Sequence, residues 1–337
     1  MALKRRAFVV ALGKSKADIE ATAYKLYLEG KAPIPDANKL ATAKGVRRSA
    51  KGIVVDTRRA SENVSGLVKI VQAAVVHPAQ IHRQNVERLA LIKQLSELGF
   101  RVAVPKFVFS DEKLLQRVKP HARVFKANAP VIAQMGSTKE YASSSFWLRD
   151  MWSKLGDKRV KRYDKGSETA FGEGGMMVHF GKTIFASDKL RNDPQLNKAW
   201  DAGYKVYFLK DGEQYYPSVS RMMGSKIYVT IDHVDLFLGV AGKTLLVEQD
   251  FFAANEGTLR RAAKDNKLKV CFVPREEADF HPANFLVLGE NKVLMDKQAR
   301  KTIELLRAQG VEVVPTRTPM KANLSAGGGV RCIANEL

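Results

Sequence analysis

Three stretches of this 337-residue chain carry one order of patterns, and that repetition narrows the fold before any single residue does. "NFLVLGENKVLMDKQARKTIELLRAQGVEVVPT" predicts strand, tight turn, strand, amphipathic helix, strand. Its apolar residues alternate on both sides of Gly289-Glu290-Asn291 and recur at helical spacing through Ile303, Leu305 and Leu306, and Gly310 ends the helix. "DLFLGVAGKTLLVEQDFFAANEGTLRRAAKDNKLKVCFVP" and "GMMVHFGKTIFASDKLRNDPQLNKAWDAGYKVYFL" repeat that order, with matching turns in "FGKTIF", "AGKTLL" and "ENKVLM". A less complete copy occupies "VVHPAQIHRQNVERLALIKQLSELGFRVAVPKF". Copies at intervals of roughly 50–60 residues predict α/β modules arrayed about an axis, each leaving a face that its neighbours must cover.

Residues before about Gly66 do not follow the module. "AFVVALG" is the length of a strand, shorter than a signal-peptide core, and acidic residues follow it. A helix over "ADIEATAYKLYLEG", an Ala-rich second helix, a turn at Gly45 and a basic third segment give a loose helix-turn-helix outline. The expected division is therefore a basic, partly helical N-terminal segment over 1–66 and a modular domain over 67–337. No apolar run approaches the roughly 18 residues of a membrane span. Two cysteines fit a reducing, cytoplasmic setting and exclude a disulfide framework. With 56 Lys+Arg against 35 Asp+Glu the formal charge is +21, which supplies solubility or contact with a polyanion such as nucleic acid.

Chemistry-bearing residues stand at the entrances of apolar strands. "FWLRDMW" sets Asp150 beside Arg149 and between Trp147 and Trp152, and "FGEGGMM" sets Glu173 before two glycines. In "TIDHVDLFLGV", His233 and Asp235 are two apart, which on a strand would put both on one face. "AGGGVRC" places Cys332 behind a glycine triplet. Carboxylates grip a planar guanidinium through bidentate hydrogen bonds, a thiolate attacks its resonance-stabilised carbon, and a histidine protonates the departing nitrogen. No Cys/His/Asp cluster has metal-ligand spacing, and "FGEGGMMVHFG" lacks the strand–turn–helix setting of a dinucleotide site. His281 in "DFHPANF" and Cys271 in "KVCFVP" are expected to be structural.

In that order and with similar spacing, "WLRD", "EGG", "HVD" and "GGGVRC" make residues 67–337 resemble the pentein superfamily of guanidino-group-modifying enzymes. That superfamily includes arginine and agmatine deiminases, dimethylarginine dimethylaminohydrolases and amidinotransferases. The resemblance implies a five-part α/β propeller and a guanidino hydrolase working through an amidino-Cys332 intermediate. Asp150 and Asp235 would hold the guanidinium of a small substrate, flanked by Trp147 and Arg149. Glu173 would pair with His233, and neither cofactor nor metal is expected. An amidinotransferase shares the first half-reaction, and a pentein used as a binding module with a nucleic-acid-contacting N-terminal region is the alternative of another class. Arg331 stands where agmatine deiminases and amidinotransferases usually carry His, and is closer to arginine deiminases. Arg149, Arg317 and Arg331 are the candidate cations for a substrate carboxylate.

Overall fold

The computed structural model describes residues 7–10, 45–56, 78–103, 123–126, 131–134, 174–192, 194–201, 203–217, 220, 224–325 and 328–336. Along the chain run strand β1 (Ala7–Val10), the hairpin β2 (Val46–Ser49) and β3 (Gly52–Val55), helix α1 (Pro78–Glu97), β4 (Arg101–Ala103), and the hairpin β5 (Arg123–Lys126) and β6 (Val131–Gln134). Next come β7 (Met177–Phe180), β8 (Thr183–Ser187), α2 (Pro194–Asp201), β9 (Lys205–Leu209), β10 (Gly212–Tyr215) and β11 (Ile227–Ile231). They are followed by β12 (Leu238–Ala241), β13 (Thr244–Val247), α3 (Gln249–Asp265) and β14 (Lys269–Phe272). The last elements are β15 (Leu286–Gly289), β16 (Lys292–Met295), α4 (Arg300–Ala308), β17 (Glu312–Pro315), the short α5 (Lys321–Ser325) and β18 (Ala334–Glu336).

The three expected modules form, each with an antiparallel hairpin whose second strand pairs in parallel with the strand after the helix. These are β7-β8-β9, β12-β13-β14 and β15-β16-β17. The "AGKT" turn needs its glycine twice over. Gly242 sits at φ +55°, and a Cβ there would lie 2.2 Å from Asn291 Oδ1 of the next module's turn. The less complete copy supplies only a helix and a last strand, α1 and β4. Its other two strands come from distant sequence, because β4 pairs in parallel with β1, and β1 pairs antiparallel with β18. A further sheet repeats the scheme with β10 antiparallel to β11 and β11 parallel to β3. Among the described residues, five sheets thus share a middle strand with one antiparallel and one parallel neighbour.

The helices bury the faces their sequences mark. Phe251, Phe252, Leu259, Ala262 and Ala263 of α3 pack with Phe185, Val234, Leu236, Phe237, Leu245, Val247 and Cys332. On the neighbouring module, Ile303 and Leu306 of α4 pack on Phe285, Val293, Met295, Val311 and Val313. Carboxylates borrowed from other elements satisfy two helix N-termini. Buried Glu277 accepts the N–H groups of Lys301 and Thr302 and the Thr302 hydroxyl at α4. Buried Glu87 of α1 accepts those of Ala322 and Asn323, and the Asn323 side-chain amide, at α5. Glu87 thus anchors α5, about 235 positions further along the chain, to α1.

Residues 46–55 correct the helix-turn-helix outline. Its basic third segment is the hairpin β2–β3, joined to β11 as sheet, with the turn residue Lys51 reaching into a group of carboxylates. The Lys51 ammonium lies 2.7 Å from Asp250, 3.1 Å from Glu213 and 3.9 Å from Glu248. Burial opposes its charge, yet those carboxylates outweigh burial and lift its pKa above the ordinary lysine value. Arg47 pairs with Glu213 as well. Lys51 therefore spends its charge within the fold, and Arg47 spends its own in an exposed ion pair. Among the described residues, no helix is long and apolar enough to cross a membrane.

Candidate active site

The described residues of three segments picked out by sequence, "EGG", "HVD" and "GGGVRC", meet where β12 and β18 begin. His233 and Asp235 follow β11, but they do not share a strand face as alternation predicted. His233 is extended (φ −78°, ψ 92°), and Asp235 lies within a single 3-10 turn, Val234–Leu236, that leads into β12. Both are buried, Asp235 completely. Cys332 occupies a similar 3-10 turn, Arg331–Ile333, directly before β18, and its thiol packs in the same cluster as Val234, Leu236 and Phe237. Polar side chains held in turns at strand entrances gain a fixed position without interrupting the ladder of the strand itself.

The glycines are explained by this packing. Gly175 begins the approach to β7, and a Cβ there would sit 2.6 Å from Nδ1 of His233. Only glycine lets the "EGG" segment lie against the imidazole. In the glycine triplet, a Cβ on Gly329 would come within 2.6 Å of Asn284 Oδ1, and one on Gly328 within 3.0 Å of Cys332 Cβ. At these two positions the glycines make room for Asn284 and for Cys332 itself.

Asn284 is the residue that sequence reasoning missed. It is buried ahead of β15, in the "HPANF" segment where only His281 drew attention. Its amide nitrogen donates to the Asp235 carbonyl at 3.0 Å and to Cys332 Sγ at 3.2 Å. Its side-chain oxygen accepts the backbone N–H groups of Arg331 (3.0 Å) and Cys332 (3.3 Å). The signal was the one applied to Asp235, a polar residue at the mouth of a buried strand, but Asn284 was passed over because it does not titrate.

Arg331 and His281 complete the electrostatics. Arg331 Nε lies 3.7 Å from Asp235 Oδ2, with 7% of the arginine side chain and none of the aspartate's exposed. The chain's own guanidinium thus faces the carboxylate expected to hold a substrate's, so Arg331 does not present itself to a substrate carboxylate from open solvent. Arg317, another candidate for that role, is exposed and pairs with Glu97. His281 takes a left-handed conformation (φ 47°) and stands edge-on to Phe237. Burial pushes its pKa down to about 4, against the pull of Asp279 and Asp235, so the imidazole is neutral at physiological pH. Trp147, Arg149, Asp150 and Glu173 lie outside the described residues. Among the described residues, no group of three or more His, Cys, Asp or Glu side chains is placed to hold a metal ion.

No protein-family sequence model matches the chain, and no curated protein does. Solved structures do. The amidinotransferase SxtG of Microseira wollei superposes with a TM-score of 0.55 at 14% identity, over 76% of this chain and 83% of that one. A dimethylarginine dimethylaminohydrolase from Pseudomonas aeruginosa, complexed with citrulline, gives 0.55 at 11% identity over 99% and 100%. The inosamine-phosphate amidinotransferase StrB1 of Streptomyces griseus gives 0.52 at 15% identity over 75% and 80%. The chain has the pentein fold. The recurring pentein sheet, a middle strand with one antiparallel and one parallel neighbour, is the unit whose entrance turns carry His233, Asp235, Asn284 and Cys332.

Proposed function

We propose that this pentein is a cysteine-dependent guanidino-group-modifying enzyme, with Cys332 as nucleophile and a small guanidine such as arginine as substrate. The observation that carries the reading is the span of one amide. Asn284 touches both the Cys332 sulfur and the backbone of Asp235, so one side chain joins the thiol to the turn that carries a buried carboxylate. That carboxylate already faces a guanidinium, the one on Arg331. The backbone N–H groups of Arg331 and Cys332 donate to Asn284. In cysteine acyl transfer such amides commonly stabilise an oxyanion. Attack on a guanidinium carbon develops none, which supports guanidino chemistry over acyl transfer.

In this reading Asp150 and Asp235 hold the guanidinium, and Trp147 and Arg149 flank it. The Cys332 thiolate forms a C–S bond to the guanidino carbon. The C–N bond to the leaving amine then breaks as His233, paired with Glu173, gives that nitrogen a proton. His233 next takes a proton from water, whose oxygen adds to the carbon, and the C–S bond breaks to return the thiolate. The catalytic unit, a five-part propeller, takes in residues 67–337 together with β1 and β2–β3 of the basic N-terminal residues 1–66, which complete two of its sheets. The two cysteines, both free, fit a cytoplasmic setting. The likeness to SxtG and StrB1 favours a second reading, in which an amine replaces water as the acceptor.

Incubation with arginine, agmatine and methylarginines, with and without glycine, distinguishes the two. A ureido product marks the hydrolase and a new guanidino compound the transferase, and intact mass should show an amidino adduct on Cys332 that Cys332→Ser abolishes. No product from any donor, together with alkylation of Cys332 no faster than that of a bulk thiol, would refute the proposal.

A further inference from the structure

We infer that Asn284 is the positioning residue of the nucleophile: its amide holds the Cys332 sulfur as an acceptor and ties it to the turn that carries Asp235. The inference rests on the reading of Cys332 as nucleophile, and it adds a residue that none of the recognised segments contains. The orientation of the amide is fixed by its partners. The N–H groups of Arg331 and Cys332 can only donate, so the end facing them is the oxygen, and the end facing Cys332 Sγ and the Asp235 carbonyl is the nitrogen. All four hydrogen-bonding positions of the amide are used. Its own main chain is also tied down, because its N–H donates to the His281 carbonyl and its C=O accepts from Arg331.

A second buried asparagine shows what a purely structural role looks like. Asn255 of α3 bonds only backbone groups, the N–H and C=O of Lys210 and the C=O of Phe251. Asn284 spends one donor on sulfur instead. An N–H donor favours the charged form of the group it meets, so this contact stabilises the thiolate over the thiol. The other donor fixes the Asp235 turn, so a single side chain sets the distance between the nucleophile and a carboxylate expected to hold the electrophile. Misplacement by about 1 Å in such an arrangement costs roughly a hundred-fold in rate. Gly329 belongs to the same device, since any side chain there would collide with the Asn284 oxygen.

Two substitutions separate this role from simple structural support. Asn284→Asp keeps an oxygen for the two backbone N–H groups but sets an anion against the sulfur, whereas Asn284→Ala removes the side chain altogether. In a Cys271→Ala background, where Cys332 is the sole thiol, the pH dependence of iodoacetamide alkylation reports the thiolate directly. The midpoint should move up by about one to two pH units in Asn284→Ala and further in Asn284→Asp. With a guanidino substrate, kcat should fall at least roughly ten-fold in both, with KM much less affected. Structural support alone would reverse the order, leaving Asn284→Asp nearer the wild type. That reversal, or unchanged midpoints in both variants, would overturn the inference. If Asn284→Asp fails to fold by far-UV circular dichroism, an unchanged midpoint in Asn284→Ala overturns it and a raised one supports it. Wild-type protein that turns over no guanidine while the midpoints still order as expected would refute the enzymatic proposal and leave the Asn284–Cys332 contact standing.

Discussion

Glu248 should make the protein less stable as pH rises through neutrality, and replacing it should remove that loss. Its carboxyl lies between β13 and α3, and burial pushes its pKa up from the ordinary 4.5 to about 7. Lys51 of the β2–β3 hairpin pulls it down, while Asp250 of α3, Glu213 of β10 and Asp279 of the turn before β15 push it up. A carboxyl whose folded pKa exceeds its unfolded value binds its proton more tightly in the folded state. The Glu248 contribution to stability is therefore fully present below pH 4.5 and is lost as pH rises through about 7. At about 1.36 kcal/mol per pH unit that interval sets a ceiling near 3 kcal/mol. The side chain is 15% exposed, and partial solvation brings the expected loss to about 2 kcal/mol. Glu248→Gln removes the charge and costs no cap, because the Glu248 side chain makes no capping bond to α3. Lys51 keeps Asp250 and Glu213 as partners. Urea unfolding at about pH 8.5 should show the variant more stable than wild type by about 2 kcal/mol, and at about pH 4 the difference should nearly vanish. An equal difference at both pH values, or a variant weaker at the higher one, would mean that Lys51 fully compensates the buried charge.

Other perturbations test the site and its supports. Gly175→Ala would place a methyl 2.6 Å from His233 Nδ1 and displace the ring, so kcat for a guanidino substrate should fall roughly ten- to a hundred-fold while the melting temperature changes little. Arg331→Met would strip Asp235 of its buried counter-charge, and urea unfolding should register a loss of about 3–5 kcal/mol. Glu277→Ala would free three donors at the start of α4 and should cost about 2 kcal/mol by the same measurement. Glu276→Ala, which removes only an exposed partner of Lys301, should leave the unfolding midpoint where it was.

What the sequence made visible follows from the range of the interactions involved. The modules around "FGKTIF", "AGKTLL" and "ENKVLM" could be read because hairpin, helix and returning strand are contiguous, so local periodicity records them. Of the strands that complete the other two sheets, β1 was legible as a strand in "AFVVALG", but the pairings were not, because β1 pairs with residues 101–103 and 334–336, and β3 with residues 227–229. Basic charge disguised the β2–β3 hairpin, since "VRRS" and "GIVV" with their two-residue turn fall inside the basic segment that follows the turn at Gly45. In the site, His233, Asp235 and Cys332 stood out because titratable groups beside apolar strands are conspicuous. Asn284 did not, for its importance lies in geometry. Arg331 was legible as a cation, but its burial against Asp235 is a tertiary fact.

The β18–β1–β4 sheet has a consequence for how the thiol comes into being as a reactive group. Cys332 is delivered by a turn whose following strand is held by β1, so its placement waits on the closure of nearly the whole chain. Such long closures cost entropy before any contact repays them, and they slow folding. A partly folded chain would hold its three local modules assembled and Cys332 still adrift, where oxidants and electrophiles can reach it. Once β1 and β18 zip together, the same sulfur is sealed into the core. The pairing that completes the last sheet thereby restricts that sulfur to what the folded site admits.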